Sequence, residues 1–170
     1  MTTSKINSKA YFKTLQLLYF SILGAFFGFL IISFFLVHNN LISLETEPFT
    51  DYVIIVAAAF LTTFGAAFSN FYYQKKLKKA HKLPALTQKT SFYQKILIMR
   101  YVILEGVGFL TLLAYIISES YLPLACAALL FLFMTSVKPT KEKLVKDLQL
   151  NDSDASLVYK EDAIISEINT

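Results

Sequence analysis

The chain has 170 residues, of which 55% are hydrophobic and only 16% charged, with a mean hydropathy of +0.52. A soluble domain carries about 25% charged residues, so this composition excludes an ordinary water-soluble globule and suits a chain whose apolar surface is covered by lipid. The formal charge of +4 does not point to nucleic acid, because the 16 lysines and arginines sit beside the apolar runs, where they read as topology signals and contacts to anionic lipid.

Residues 1–14 are polar and carry Lys5, Lys9 and Lys13. From Leu15 to Val37 there is no charge for 23 residues, roughly 35 Å of helix and enough to cross a bilayer with some tilt. The exit, Leu36-Val37-His38-Asn39-Asn40, has no small-x-small cleavage pattern, so a retained span is expected rather than a signal peptide. The loop 38–51 holds Glu45, Glu47 and Asp51 with no lysine or arginine. The second span, 52–73, is rich in small residues and ends in the aromatic belt Phe71-Tyr72-Tyr73. Lys75, Lys76, Lys78 and Lys79 follow at once as a topology anchor able to meet lipid headgroups. Pro84 breaks the helix, and residues 86–95 are expected to begin the third helix before its span, 96–118.

Glu119-Ser120 forms a tight turn into the fourth span, 121–137, whose 17 residues are the lower limit for a crossing. Residues 141–150 read as a short amphipathic helix with Leu144, Val145 and Leu148 on one side. The last twenty residues, acidic and polar, are expected to be mobile.

With the N-terminus, the 74–95 loop and the tail 138–170 assigned to the cytoplasm, three, seven and five basic residues fall there. Arg100, the sixteenth, is within reach of that side. The opposite side holds only Glu45, Glu47, Asp51 and Glu119, a one-sided distribution under the positive-inside rule. The expected fold is an all-α integral membrane four-helix bundle over 15–137, N-in and C-in, in a cytoplasmic membrane. An offset of 81 residues lays Tyr11-Phe12 on Phe92-Tyr93 and Gly24-Ala25 on Glu105-Gly106. An offset of 69 lays Ala58-Ala59 on Ala127-Ala128. The bundle thus reads as two tandem hairpins, with a carboxyl in the second copy where the first has Gly24.

Glu105 is the leading functional residue. Nine residues into its span, it lies about 14 Å along the axis, near the bilayer midplane, where an ionisable group is costly. Arg100 is nearer the cytoplasmic end and can snorkel to the headgroups. Five positions apart, the two are not expected to pair along one helix. Tyr101, at i−4, is the better donor in the same helix, and Thr62 or Thr63 is expected to reach Glu105 from the second span. Gly106 and Gly108 would admit a close helix, as would Gly24-x-x-x-Gly28 and Gly65-x-x-x-Ser69.

Other chemistry is not indicated. Cys126 has no second thiol, and His38 and His81 fall on opposite sides of the membrane. No triad, phosphate loop or paired carboxylates are visible, so neither an enzyme nor a bound cofactor is expected.

Arg100-Tyr-Val-Ile-Leu-Glu-Gly106 and Lys138-Pro-Thr-Lys-Glu-Lys143 resemble motifs of a group of small, uncharacterised four-span bacterial membrane proteins. Those show Arg-x-x-Leu-Leu-Glu-Gly in the third span and Arg-Pro-Thr-Lys-Glu-Lys after the fourth; here Ile103 and Lys138 depart mildly. The resemblance spans about 12–150, supports the architecture and picks out Arg100, Glu105 and Gly106, but carries no activity. A more distant likeness, to the doubled-hairpin proteolipid of rotary ATPases, lacks that family's glycine runs and places the carboxyl in a different helix.

The function expected is that of a structural or accessory membrane protein in which Glu105 clamps helices or docks a partner, either a second copy or another membrane protein. The alternative is a small oligomeric carrier or channel coupled to protons or cations through Glu105.

Overall fold

Apolar runs with no interior proline propagate as helix, and this chain has three very long ones. The computed structural model describes residues 3–42, 44 and 47–169; Glu45, placed above in the first loop, lies outside them. The element order is strand β1 (Thr3–Asn7), helices α1 (Ser8–His38), α2 (Pro48–Ala80), α3 (Leu86–Ser118), α4 (Tyr121–Ser136), α5 (Lys141–Asp147) and α6 (Asp152–Tyr159), and strand β2 (Ile164–Asn169). α1, α2 and α3 are long and apolar enough to cross a membrane, and α4 with α5, bent by 85°, makes a fourth such segment if taken together. The all-α expectation holds for the helical body, with one two-stranded ribbon added.

Local chemistry sets the boundaries. Asn7 caps α1 by accepting from the amide of Ala10 at 2.9 Å, Thr140 caps α5 through the amide of Lys143 at 3.1 Å, and Asn151 caps α6 through Asp154 at 2.7 Å. Pro48 opens α2 at the position where a missing N–H costs nothing. Asn40, at φ 51°, ends α1 in a left-handed turn in which the amides of Leu41 and Asn40 return to the carbonyls of Leu36 and Val37. Gln149, at φ 49°, ends α5 the same way through Val145 and Lys146.

The chain divides into two compact units. One comprises residues 1–20, 71–100 and 138–170. In it, β1 and β2 pair antiparallel from Thr3 opposite Asn169 to Asn7 opposite Ile164. The Ser8 hydroxyl donates to the Val158 carbonyl at 2.5 Å, Thr90 donates to the Ile165 carbonyl, and the hydroxyls of Ser91 and Ser166 meet at 2.9 Å. Val158 and Ile165 are wholly buried. The expectation of a mobile tail is therefore overturned. Its partner is the N-terminal segment about 160 positions away, a pairing that leaves no mark in a short sequence window. Lys9 and Glu161 meet at 2.8 Å as an exposed ion pair, which adds little in water.

The other unit comprises residues 21–70 and 101–137. Its core is a layer of interdigitated side chains in which Phe26, wholly buried, meets Phe109 edge-on at 6.3 Å and Phe131 at 6.1 Å. A Cβ on Gly65 would stand 2.4 Å from Val107, and one on Gly108 would stand 2.6 Å from the Phe26 ring. These two glycines let helix meet helix closely, as expected of them. Ser69, one turn beyond Gly65, is fully buried with them. Gly24, Gly28 and Gly106 differ from expectation: a Cβ at any of them would meet open space, so no close approach within the chain depends on them.

Gly65→Val and Gly108→Val are each expected to destabilise the protein by about 1–3 kcal/mol through overpacking. Gly24→Val, with the same change of helix propensity but no neighbour, should cost less than about 0.5 kcal/mol. Unfolding in mixed micelles followed by circular dichroism compares the three.

Candidate functional site

The first site is built around Glu105 on α3. Val107 packs into Gly65 and the hydroxyl of Thr111 meets that of Thr62 at 2.8 Å, so α2 and α3 are antiparallel here with Gly65 opposite Val107 and Thr62 opposite Thr111. That register puts Thr62 six residues, about 9 Å of helix rise, from the level of Glu105. Thr62 also donates to the Ala58 carbonyl at 2.8 Å, and Thr63 donates to Ala59 at 2.9 Å. Neither threonine reaches Glu105; Ala67 and Phe68, which have no polar side chain, lie at its level. Tyr101 is redirected too: its hydroxyl donates to the Val137 carbonyl at 3.0 Å.

Glu105 is half-buried and makes no hydrogen bond or ion pair among the described residues. It stands one turn before Phe109, which meets Phe26 and Phe29, and beside the exposed Gly106. The clamp expected within this chain is therefore not made. The carboxyl sits at the border of a packed aromatic layer with its hydrogen-bonding capacity unused.

The second site was not anticipated. Asp147, the last residue of α5, accepts a hydrogen bond on one carboxylate oxygen from the hydroxyl of Tyr73 and another from Tyr93 at 3.1 Å; the two hydroxyls are 3.3 Å apart. Tyr73 and Tyr93 are buried to 2% and 1% exposure. Nε2 of His81 donates to the Asp147 backbone carbonyl at 2.6 Å, which fixes that tautomer. The Arg100 guanidinium lies 4.3 Å from the centre of the Tyr73 ring.

Arg100 is only 4% exposed, so the expectation that it snorkels to the headgroups gives way to a cation–π contact in a buried polar cluster. Burial, with repulsion from Arg100, holds the Lys143 ammonium below the ordinary lysine range, while Asp147 pulls it back up. A carboxylate that gathers two tyrosines, one of them under the Arg100 guanidinium, fastens α5 to the adjoining ends of α2 and α3.

Of the four lysines read as headgroup contacts, Lys75 lies 5.8 Å from the Phe71 ring centre and Lys76 lies 5.4 Å from that of Tyr72, while Lys78 and Lys79 are exposed. Among the described residues no group of three or more His, Cys, Asp and Glu is placed to hold a metal ion. The signal that marks Asp147 in the sequence is its position between Leu144 and Leu148, on the buried side of an otherwise lysine-rich helix. Nothing in the sequence joined it to Tyr73, 74 positions earlier.

No protein-family model, curated protein or solved structure matches the chain.

Asp147→Ala leaves two buried tyrosine hydroxyls without their acceptor and should loosen α5 by about 1–3 kcal/mol. Tyr93→Phe, which removes one donor and leaves the carboxylate bonded to Tyr73, should cost about 0.5–1.5 kcal/mol. Amide hydrogen exchange across residues 141–147 in the full chain reads both, with faster exchange expected for the alanine variant.

Proposed function

We propose that this chain is a multi-pass integral membrane protein of the accessory kind, which docks a neighbouring membrane helix through Glu105. The observation that carries this reading is the half-buried carboxyl with no partner among the described residues. A charged or strongly polar group at the middle of a span costs about 2.5–3.5 kcal/mol on insertion scales. That cost is offset when the group meets a donor, and here the donor is supplied by another helix, from a second copy or a different membrane protein. The open space at Gly106, adjacent to the carboxyl, allows such a helix to come near.

The paired strands β1 and β2 support a topology for this reading. Hydrogen-bonded strands lie on one side of a membrane, so an even number of crossings separates them. Three crossings would part them; α4 as a fourth brings them together, in the two-hairpin order read from the sequence. The one-sided basic residues favour the cytoplasm for that side. The resemblance to small four-span bacterial membrane proteins agrees with this arrangement.

The alternative, an oligomeric proton- or cation-coupled carrier, rests on the same unpartnered carboxyl, and one pair of variants separates the two. Glu105→Gln keeps the shape and the hydrogen bonding but cannot exchange a proton; Glu105→Leu removes both. Under docking, in-membrane crosslinking yield should persist in the glutamine variant and fall at least about fivefold in the leucine variant, as for loss of one interhelical hydrogen bond of about 1 kcal/mol. Wild-type liposomes that carry a pH-driven flux, lost in Glu105→Gln, would instead establish the carrier.

A further inference from the structure

A groove of about 390 Å³ opens beside the Asp147 cluster, between the end of α2 and the end of α5. Gln74, Leu77 and Lys78 from α2 and His81 from the turn that follows it line one side, and Lys146, Asp147 and Gln149 line the other from α5 and its terminal turn. Gln74, Leu77 and Lys78 fall at i, i+3 and i+4, a single helix face. Gln149 is brought there by the left-handed turn that ends α5.

The groove's one carboxylate is already engaged by Tyr73 and Tyr93, and its backbone carbonyl by His81. What remains is a set of donors. The ammonium groups of Lys78 and Lys146 and the side-chain amides of Gln74 and Gln149 make no hydrogen bond or ion pair among the described residues. Two ammonium groups at one groove repel each other, and an anion between them reverses the sign of that interaction. A topology anchor needs its lysines only to reach water. Here a lysine and an amide from a separate, later helix converge on the same space.

We propose that this groove binds a phosphate-bearing anion. Phosphate presents several strong acceptor oxygens, and the groove offers two cationic donors and two neutral ones from opposing sides. The same chemistry is carried by a phospholipid headgroup and by soluble phosphate. Either would bridge α2 to α5 and reinforce the fastening made by Asp147. The site shares no residue with the Glu105 docking face.

The test uses the full chain, purified in a neutral detergent and titrated separately with inorganic phosphate and with short-chain phosphatidylglycerol. Saturable binding is expected. It should weaken roughly thirtyfold in Lys78→Gln/Lys146→Gln, as for two lysine contacts to an anionic headgroup, and be retained in Lys78→Arg/Lys146→Arg. Lys75→Gln/Lys79→Gln removes the same charge outside the groove and should weaken it by less than about twofold. Saturation by inorganic phosphate assigns the site to soluble phosphate, and saturation by phosphatidylglycerol alone assigns it to a headgroup. Equal losses in the two glutamine pairs would reduce the effect to diffuse charge and overturn the proposal. So would the absence of saturable binding by either probe.

Discussion

The approach of α2 to α3 at Gly65 governs the unit formed by 21–70 and 101–137. With only a hydrogen where other residues carry a side chain, Gly65 takes the Val107 side chain against its backbone, and the register of two long helices is fixed by that fit. Thr62 then falls opposite Thr111 and their hydroxyls pair, while Glu105 falls level with Ala67 and Phe68, which offer no donor. The absence of a partner for the carboxyl among the described residues is thus a consequence of register. A shift of the helices by one or two turns would bring threonine to it, but only by driving Val107 into residues larger than glycine. Packing density decides the matter, since interiors tolerate an unused polar group at their border more readily than an overlap of atoms.

In the unit formed by 1–20, 71–100 and 138–170, electrostatics plays the corresponding part. Asp147 is the acceptor for two buried tyrosines, and Arg100 lies on the face of one of them. The short helix α5 has only seven residues, too few to persist alone in water. It is held by this cluster, by the burial of Leu144 and Leu148, and by its terminal turn. The β1–β2 ribbon and the hydrogen bonds of Ser8, Thr90 and Ser91 fasten the tail in a separate way. The buried tyrosine hydroxyls and the carboxylate of this unit pair with one another, whereas Glu105 in the other unit makes no such bond among the described residues.

The contrast bears on function. A carboxyl bonded within its own chain serves folding; one left without a partner at the edge of a packed layer can serve association or ion exchange. Asp147 belongs to the first kind and Glu105 to the second, and only Glu105 is marked by its sequence context. Glu105 stood out because it interrupts an apolar run. Asp147 did not, because acids among lysines on a short helix are ordinary.

The sequence by itself determined the existence of the long helices and the apolar middle of each. Apolar runs free of charge and proline leave the backbone no better way to satisfy its hydrogen bonds. The break at Pro84 is local chemistry, readable a few residues at a time. The sequence offered all five glycines as places for a close helix and did not separate Gly65 and Gly108, which meet one, from Gly24, Gly28 and Gly106, which do not, because small residues look alike whether or not a helix comes to meet them. Only the tertiary structure decided the partners: Tyr101 with Val137, Thr62 with Thr111, Arg100 with Tyr73, two tyrosines with Asp147, and the two ends of the chain with each other. Each of these joins residues tens of positions apart, and a one-turn change in register would exchange one set of partners for another while leaving every local signal unchanged.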